Sequence, residues 1–117
     1  MTSLELAQNA VKALDSKKAS DLKLIKIGGI SVLADYFVIA TGGSSTHVKA
    51  LADEVEFRLK ELGAGSPRTE GYRSNTWILL DYNSVVVHVF TEESRSFYDL
   101  DKLWRDGEII DIFGLLE

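Results

Sequence analysis

The chain has 117 residues, 45% of them hydrophobic and 26% charged, with 18 acidic against 13 basic residues and a formal net charge of −5. Those values describe a single globular domain over residues 1–117, large enough to bury a core unaided. With no cysteine, disulfide scaffolds, thiolate metal sites and cysteine nucleophiles are excluded.

The first predicted element runs from Thr2 to about Lys18. Leu4, Ala7, Val11 and Leu14 form its apolar stripe, with Leu6 and Ala10 beside it, and Thr2 and Glu5 stand at capping-box spacing. Asp21 to Ile27 (DLKLIKI) sets Leu22, Leu24 and Ile27 against Lys23 and Lys26, which predicts a strand with one face in water near a sheet edge. Gly28 to Ala34 reads as a connection. It leads into Tyr36-Phe37-Val38-Ile39-Ala40, a short apolar run expected to be a strand covered on both faces. Thr41-Gly42-Gly43-Ser44-Ser45 breaks that strand, and either serine is a suitable helix cap. Val48, Leu51, Ala52, Val55, Leu59 and Leu62 then follow one helical face, with Gly63 at the position of a C-terminal cap.

Ala64 to Pro67 carries turn chemistry, and Arg68 to Ser74 fits a short strand or a loop. Trp77–Leu80 and Val85–Phe90 predict a hairpin around Asp81-Tyr82-Asn83-Ser84, with Asn83 in a left-handed conformation. Thr91 is placed to cap a third helix, with Glu92 and Glu93 in its first turn and Phe97, Leu100, Leu103 and Trp104 as its stripe. The order α-β-β-α-(β)-β-β-α predicts an α/β sandwich with a mixed sheet.

A two-residue loop at Tyr82-Asn83 would set Asp81 opposite Ser84, Leu79 opposite Val86 and Trp77 opposite His88. One face of the hairpin is then aliphatic (Ile78, Leu80, Val85, Val87, Val89) and belongs in the core. The other mixes Trp77, His88 and Asp81 with aliphatics, a composition suited to a contact surface, although Trp77 could simply cover the sheet beneath the last helix.

Evidence for catalysis is thin. Gly42-Gly43-Ser44-Ser45 before a helix is one place where a phosphate could bind, so a nucleotide-binding or nucleotidyltransferase-like enzyme is the alternative reading. It lacks the lysine and spacing of a P-loop, and the following strand offers Asp81 alone where a two-metal clamp needs paired carboxylates. His47 and His88 are the only histidines and make a poor metal pair. No catalytic residue, metal or cofactor is expected. No apolar run approaches the roughly 20 residues that span a bilayer, and MTSLELAQNAV has no signal-peptide core. The acidic balance disfavours phosphate-backbone binding and suits a basic protein partner, so a cytoplasmic protein with little direct nucleic-acid contact is expected.

ADYFVIATGGSSTHVKALADEVE, followed by EGYRSNTWILLDYNSVVVHVFTEESRSFYDLDKLWRDGE, resembles the ribosomal silencing factor (Iojap) family over roughly Ala19 to Glu108. The resemblance rests on DYFVIATG, the Ser-Ser helix start, EG before W-x-L-x-D-Y, VVVHVF, and the aromatic-rich ending in LW. It implies a nucleotidyltransferase-like fold without catalytic acids and a non-enzymatic repressor of translation in starvation or stationary phase. The implied partner is the large ribosomal subunit, bound through ribosomal protein uL-fourteen so that the small subunit is sterically blocked. A homodimer in the free state is compatible with the family pattern. The contact surface implied for this chain is Trp77, Leu79, Asp81, Tyr82 and His88, extended to Ser96, Phe97 and Tyr98. Asn83 stands where glycine is usual and Phe97 where tyrosine is common. Residues 109–117 read as an extension past the family's common end, open to a role in covering the sheet or in a dimer contact.

Overall fold

The computed structural model describes residues 1–28, 34–99 and 107–116. The elements are α1 (Ser3–Ser16), β1 (Ser20–Lys26), β2 (Tyr36–Gly42), α2 (Ser45–Glu61), β3 (Arg68–Glu70), β4 (Trp77–Asp81), β5 (Val85–Thr91), α3 (Glu92–Tyr98), β6 (Glu108–Ile110) and a single 3-10 turn at Phe113–Leu115. The six strands form one mixed sheet in the order β3-β4-β5-β2-β1-β6. β2 and β5 pair in parallel, and the remaining neighbours are antiparallel. The expected α/β architecture with a mixed sheet is therefore the one observed.

Both long helices lie on one face. Ala7, Ala10, Val11 and Leu14 of α1 and Val48, Leu51, Ala52, Val55 and Leu59 of α2 meet Leu24, Val38, Ala40, Ile78, Leu80, Val85, Val87 and Val89 of the sheet. Local chemistry starts both helices. Thr2 and Glu5 close the expected capping box on α1, and Ser44 Oγ accepts from the N–H of His47 at 3.1 Å on α2. α2 ends as its sequence indicates, with Gly63 at φ +92°. Leu4 is the exception in the predicted stripe of α1, since it is exposed while Ala13 takes a buried position.

The opposite face holds a second apolar cluster of Ile25, Ile27, Ala34, Phe37, Ile39, Val86 and Phe90, with Trp77 and Leu79 packed against it. This corrects the expectation for β1. It is not half solvated, because Leu24 faces the helices while Ile25 is buried on the other side. It does lie near the sheet edge, one strand in, since β6 from the C-terminal tail pairs outside it, with Ile25 opposite Ile109 and Leu24 opposite Ile110. Of the open roles for the tail, the structure shows residues 108–110 covering that sheet edge.

The hairpin register differs by two residues from the expected one. Leu79 faces His88, Trp77 faces Phe90, and Asp81 faces Val86. The loop is Asn83-Ser84 rather than Tyr82-Asn83, because Tyr82 still pairs with Val85 through an N–H···O bond of 2.9 Å. Asn83 carries the positive φ of +76°, and Asp81 Oδ1 accepts its N–H at 2.7 Å. The side chain that favours a left-handed residue thus sits in the first loop position, where such turns require one. A shift of two leaves every side chain on its expected face. Of the stripe predicted for the third helix, Phe97 is 81% exposed, and α3 ends at Tyr98 with Asp99 left-handed. Leu100, Leu103 and Trp104 lie outside the described residues, as does most of the connection at 29–33.

Gly71 explains the glycine of the EG pair. It adopts φ +93°, and a Cβ there would collide with the carbonyl oxygen of Trp77. Positive φ and backbone contact both forbid a side chain. Gly71→Ala is expected to cost about 2 kcal/mol or more in urea unfolding, whereas the same change at Gly65, which has open space around its Cβ position, should be nearly neutral.

Candidate docking face

Trp77 is placed at the start of β4, half-buried on the face away from α1 and α2. Its floor is Phe90, its cross-strand partner, which is fully buried with ring centroids 4.9 Å apart and planes at 26°. Tyr98 of α3 closes one side at 4.5 Å. The indole N–H donates to His88 Nδ1 at 3.2 Å. His88 is itself packed edge-on against Phe37 at 4.8 Å. The aromatic group therefore draws on β2, β4, β5 and α3, and each ring is held by its neighbours at distances where edge and offset contacts stabilise pairs by about 1 kcal/mol.

α3 is fixed at its base. Thr91 Oγ1 accepts from the Ser94 N–H, and the buried guanidinium of Arg95 donates to Thr41 Oγ1 at 2.8 Å. That anchor leaves Ser96, Phe97 and Tyr98 on the outside, with Phe97 packed edge-on against Tyr98 at 5.1 Å.

Of the eight residues expected to form a contact surface, Trp77, Leu79 and Asp81 share one half-exposed strip along β4, Tyr98 flanks it with Phe97 packed on Tyr98, and Ser96 is exposed on the same helix. His88 lies on the same side but is only 4% exposed, so it supports the strip from beneath. Tyr82 is on the other side, packed against the helix-face core. Asp81 sits at the far end, one oxygen engaged with the turn. Phe37, Phe90 and Arg95 complete the site and were not singled out from sequence. Phe90 had a signal, since it shares the parity of His88 on β5. Arg95 had none, because nothing local marks a surface-like arginine as buried.

The Gly42–Ser45 turn is occupied by the chain's own groups. Gly43 N–H donates to His47 Nδ1 at 2.9 Å, His47 Nε2 bonds the Lys17 carbonyl at 2.7 Å, and Ser44 takes the His47 N–H. A Cβ at Gly42 would lie 3.0 Å from both Val48 N and Val48 Cγ2. The turn is packed onto α2, and the N–H groups of Gly43, His47 and Val48, three of the donors around it, already have partners within the chain. Among the described residues no cluster of three His, Cys, Asp or Glu side chains is placed to hold a metal ion, and no helix is long and apolar enough to cross a membrane.

An α/β sandwich with two helices on one face of a mixed sheet and an aromatic strip on the other is the class that these observations define. The chain belongs to the family described as "Ribosomal silencing factor during starvation", whose model matches residues 1–116. It is 40% identical over 116 residues to the ribosomal silencing factor of Halalkalibacterium halodurans, covering 99% of each chain. A crystal structure of a Chromobacterium violaceum protein, 35% identical, superposes with a TM-score of 0.87 over 95% of this chain and 92% of that one. A mouse relative named "Mitochondrial assembly of ribosomal large subunit protein 1" is 32% identical over 80% of this chain and 42% of its own length.

Burial pushes the His88 imidazole down to about 4, with the Asp81 carboxylate opposing the shift weakly. A histidine held neutral in the folded chain takes a proton more readily once unfolded. The stability it secures is complete above about pH 6.5 and declines as the pH falls through the interval down to about 4. Denaturant titrations across that interval should show a loss of up to about 3 kcal/mol in the native protein that His88→Leu lacks.

Proposed function

We propose that the protein represses translation by docking the Trp77 face on the large ribosomal subunit, through ribosomal protein uL-fourteen, and that the small subunit is then sterically excluded. The observation that carries this reading is the strip of Trp77, Leu79 and Asp81 with Phe97 and Tyr98 beside it. It offers aromatic and aliphatic surface with a carboxylate at one end, on a rigid sheet, in a chain of net charge −5. Buried aromatic anchors ringed by polar groups dominate binding energies, and an acidic protein is steered towards a basic partner. Family membership and the name of the mouse relative agree with a target on the large subunit.

Occlusion requires a rigid body in the right place and no turnover, so the protein acts without a catalytic residue or cofactor, in the cytoplasm. Trp77 is the anchor of this interface, and Asp81 meets a lysine or arginine of the partner. A nucleotide-binding role at Gly42–Ser45 is disfavoured by the occupied donors of that turn.

Sedimentation of purified subunits on sucrose gradients tests the reading. With excess protein, the large subunit should carry it down the gradient and the associated particle should fail to form. Trp77→Ala should remove binding by about 2 kcal/mol or more while the fold persists. Ser44→Ala should lose about 1 kcal/mol of stability and keep full activity. Normal subunit joining with the protein left at the top of the gradient would refute the proposal.

A further inference from the structure

Trp77 presents a polar atom that its surroundings have already claimed. The indole N–H is satisfied inside the protein by His88 Nδ1 at 3.2 Å, while the ring stacks on Phe90 and is flanked by Tyr98. His88 is too deep to touch a docked protein, at 4% exposed beneath Leu79 and Trp77. Its orientation is fixed by edge-on contact with Phe37 and near-parallel stacking with Phe90, whose planes lie at 10° to its own.

We propose that His88 is a positioning residue for the docking face: it locks the Trp77 indole in one orientation, so that a partner meets Trp77 as carbon surface with its N–H turned inward. The inference rests on the reading of the Trp77 face as the docking surface. An acceptor at this point removes the alternative ring orientations in which the N–H would turn out to water. Ordering the anchor before docking spares the complex the entropy of ordering it afterwards. A nitrogen acceptor requires the ring to be neutral, with its proton on Nε2. Nε2 is buried and has no hydrogen-bond partner among the described residues. A purely structural aromatic at position 88 would fill the space without carrying this unpaired N–H. Its presence points to the Nδ1 acceptor as what the position supplies.

The matching partner chemistry is apolar. The stems of lysine or arginine side chains, or a small aliphatic pocket, fit the exposed ring, and a separate basic group of the same partner would meet Asp81 at the other end of the strip.

The test compares His88→Leu, which keeps apolar bulk and removes the acceptor, with His88→Asn, whose Oδ1 falls near the position of Nδ1. Two readouts are taken: binding to purified large subunits, and the indole N–H resonance of Trp77 in nitrogen–proton correlation spectra. His88→Leu should remain folded, shift that resonance and speed its exchange with water. It should weaken binding about tenfold, the effect of one lost hydrogen bond. His88→Asn should restore both readouts, and in a Trp77→Ala background His88→Leu should have no further effect on binding. If His88→Leu does not fold, benzothienylalanine placed at position 77 removes the N–H alone and should produce the same loss.

If Trp77→Ala abolishes binding while His88→Leu or the benzothienyl analogue binds like the native protein, the positioning role is refuted and the docking face stands. If Trp77→Ala binds normally, the docking face itself falls, and the positioning role with it.

Discussion

The parallel pairing of β2 with β5 in the middle of the sheet is the constraint on which the remaining structure depends. Seven register pairs, from Tyr36–Val85 to Gly42–Thr91, place two strands side by side with neither at an edge. Such strands must bury both faces. On β5 the alternation divides cleanly: Val85, Val87 and Val89 go to the helices, and Val86, His88 and Phe90 go to the opposite side. The helix face is closed by α1 and α2. The other face is closed by aromatic residues from β4 and α3, and those covering residues are the ones left half in water. The sheet's need for a second cover thus generates the surface through which the protein is proposed to act.

A rigid site follows from that arrangement. Phe90 is fully buried and cannot yield, so Trp77 has a hard floor. Arg95 pins α3 to the end of β2 through Thr41, which carries Tyr98 to the flank of the indole. The Ser84 carbonyl accepts N–H groups from Asp35 and Tyr36 and ties the hairpin turn to the start of β2. A steric blocker needs such stiffness, because occlusion is lost if the docked body can swing aside. Close packing converts small sequence choices, such as Gly71 beneath the Trp77 carbonyl, into requirements of the whole face.

Much of the fold could be read from sequence because local rules and burial agreed there. The capping box of α1, the stripe of α2 from Val48 to Leu59, Gly63 and the left-handed Asn83 were all legible in the sequence, and only Leu62 leaves that stripe, exposed at the helix end. The hairpin register was not. Loops one position apart in the chain shift the pairing by two residues, and parity alone cannot separate them. The face of Trp77, Leu79 and Asp81 was therefore legible while their partners across the ladder were not. Tyr82 was placed on that face by the family resemblance alone, whereas strand alternation sets it with Ile78 and Leu80 on the helix side, where it is found. The burial of His88 depends on Trp77 and Leu79 lying over it, which no local pattern encodes. β6 escaped notice for a related reason, since three residues of an apolar tail read equally well as any cover for the sheet.

Site-directed photo-crosslinking tests the central claim most directly. A benzophenone side chain at position 79, in the strip, and another at position 57, on the exposed side of α2, would be irradiated in the presence of large subunits. The account predicts one dominant adduct from position 79, to a basic large-subunit protein identified as uL-fourteen by mass spectrometry, and no ribosomal adduct from position 57. Adducts from position 57 with none from position 79 would mean that the helical face docks and the aromatic face does not.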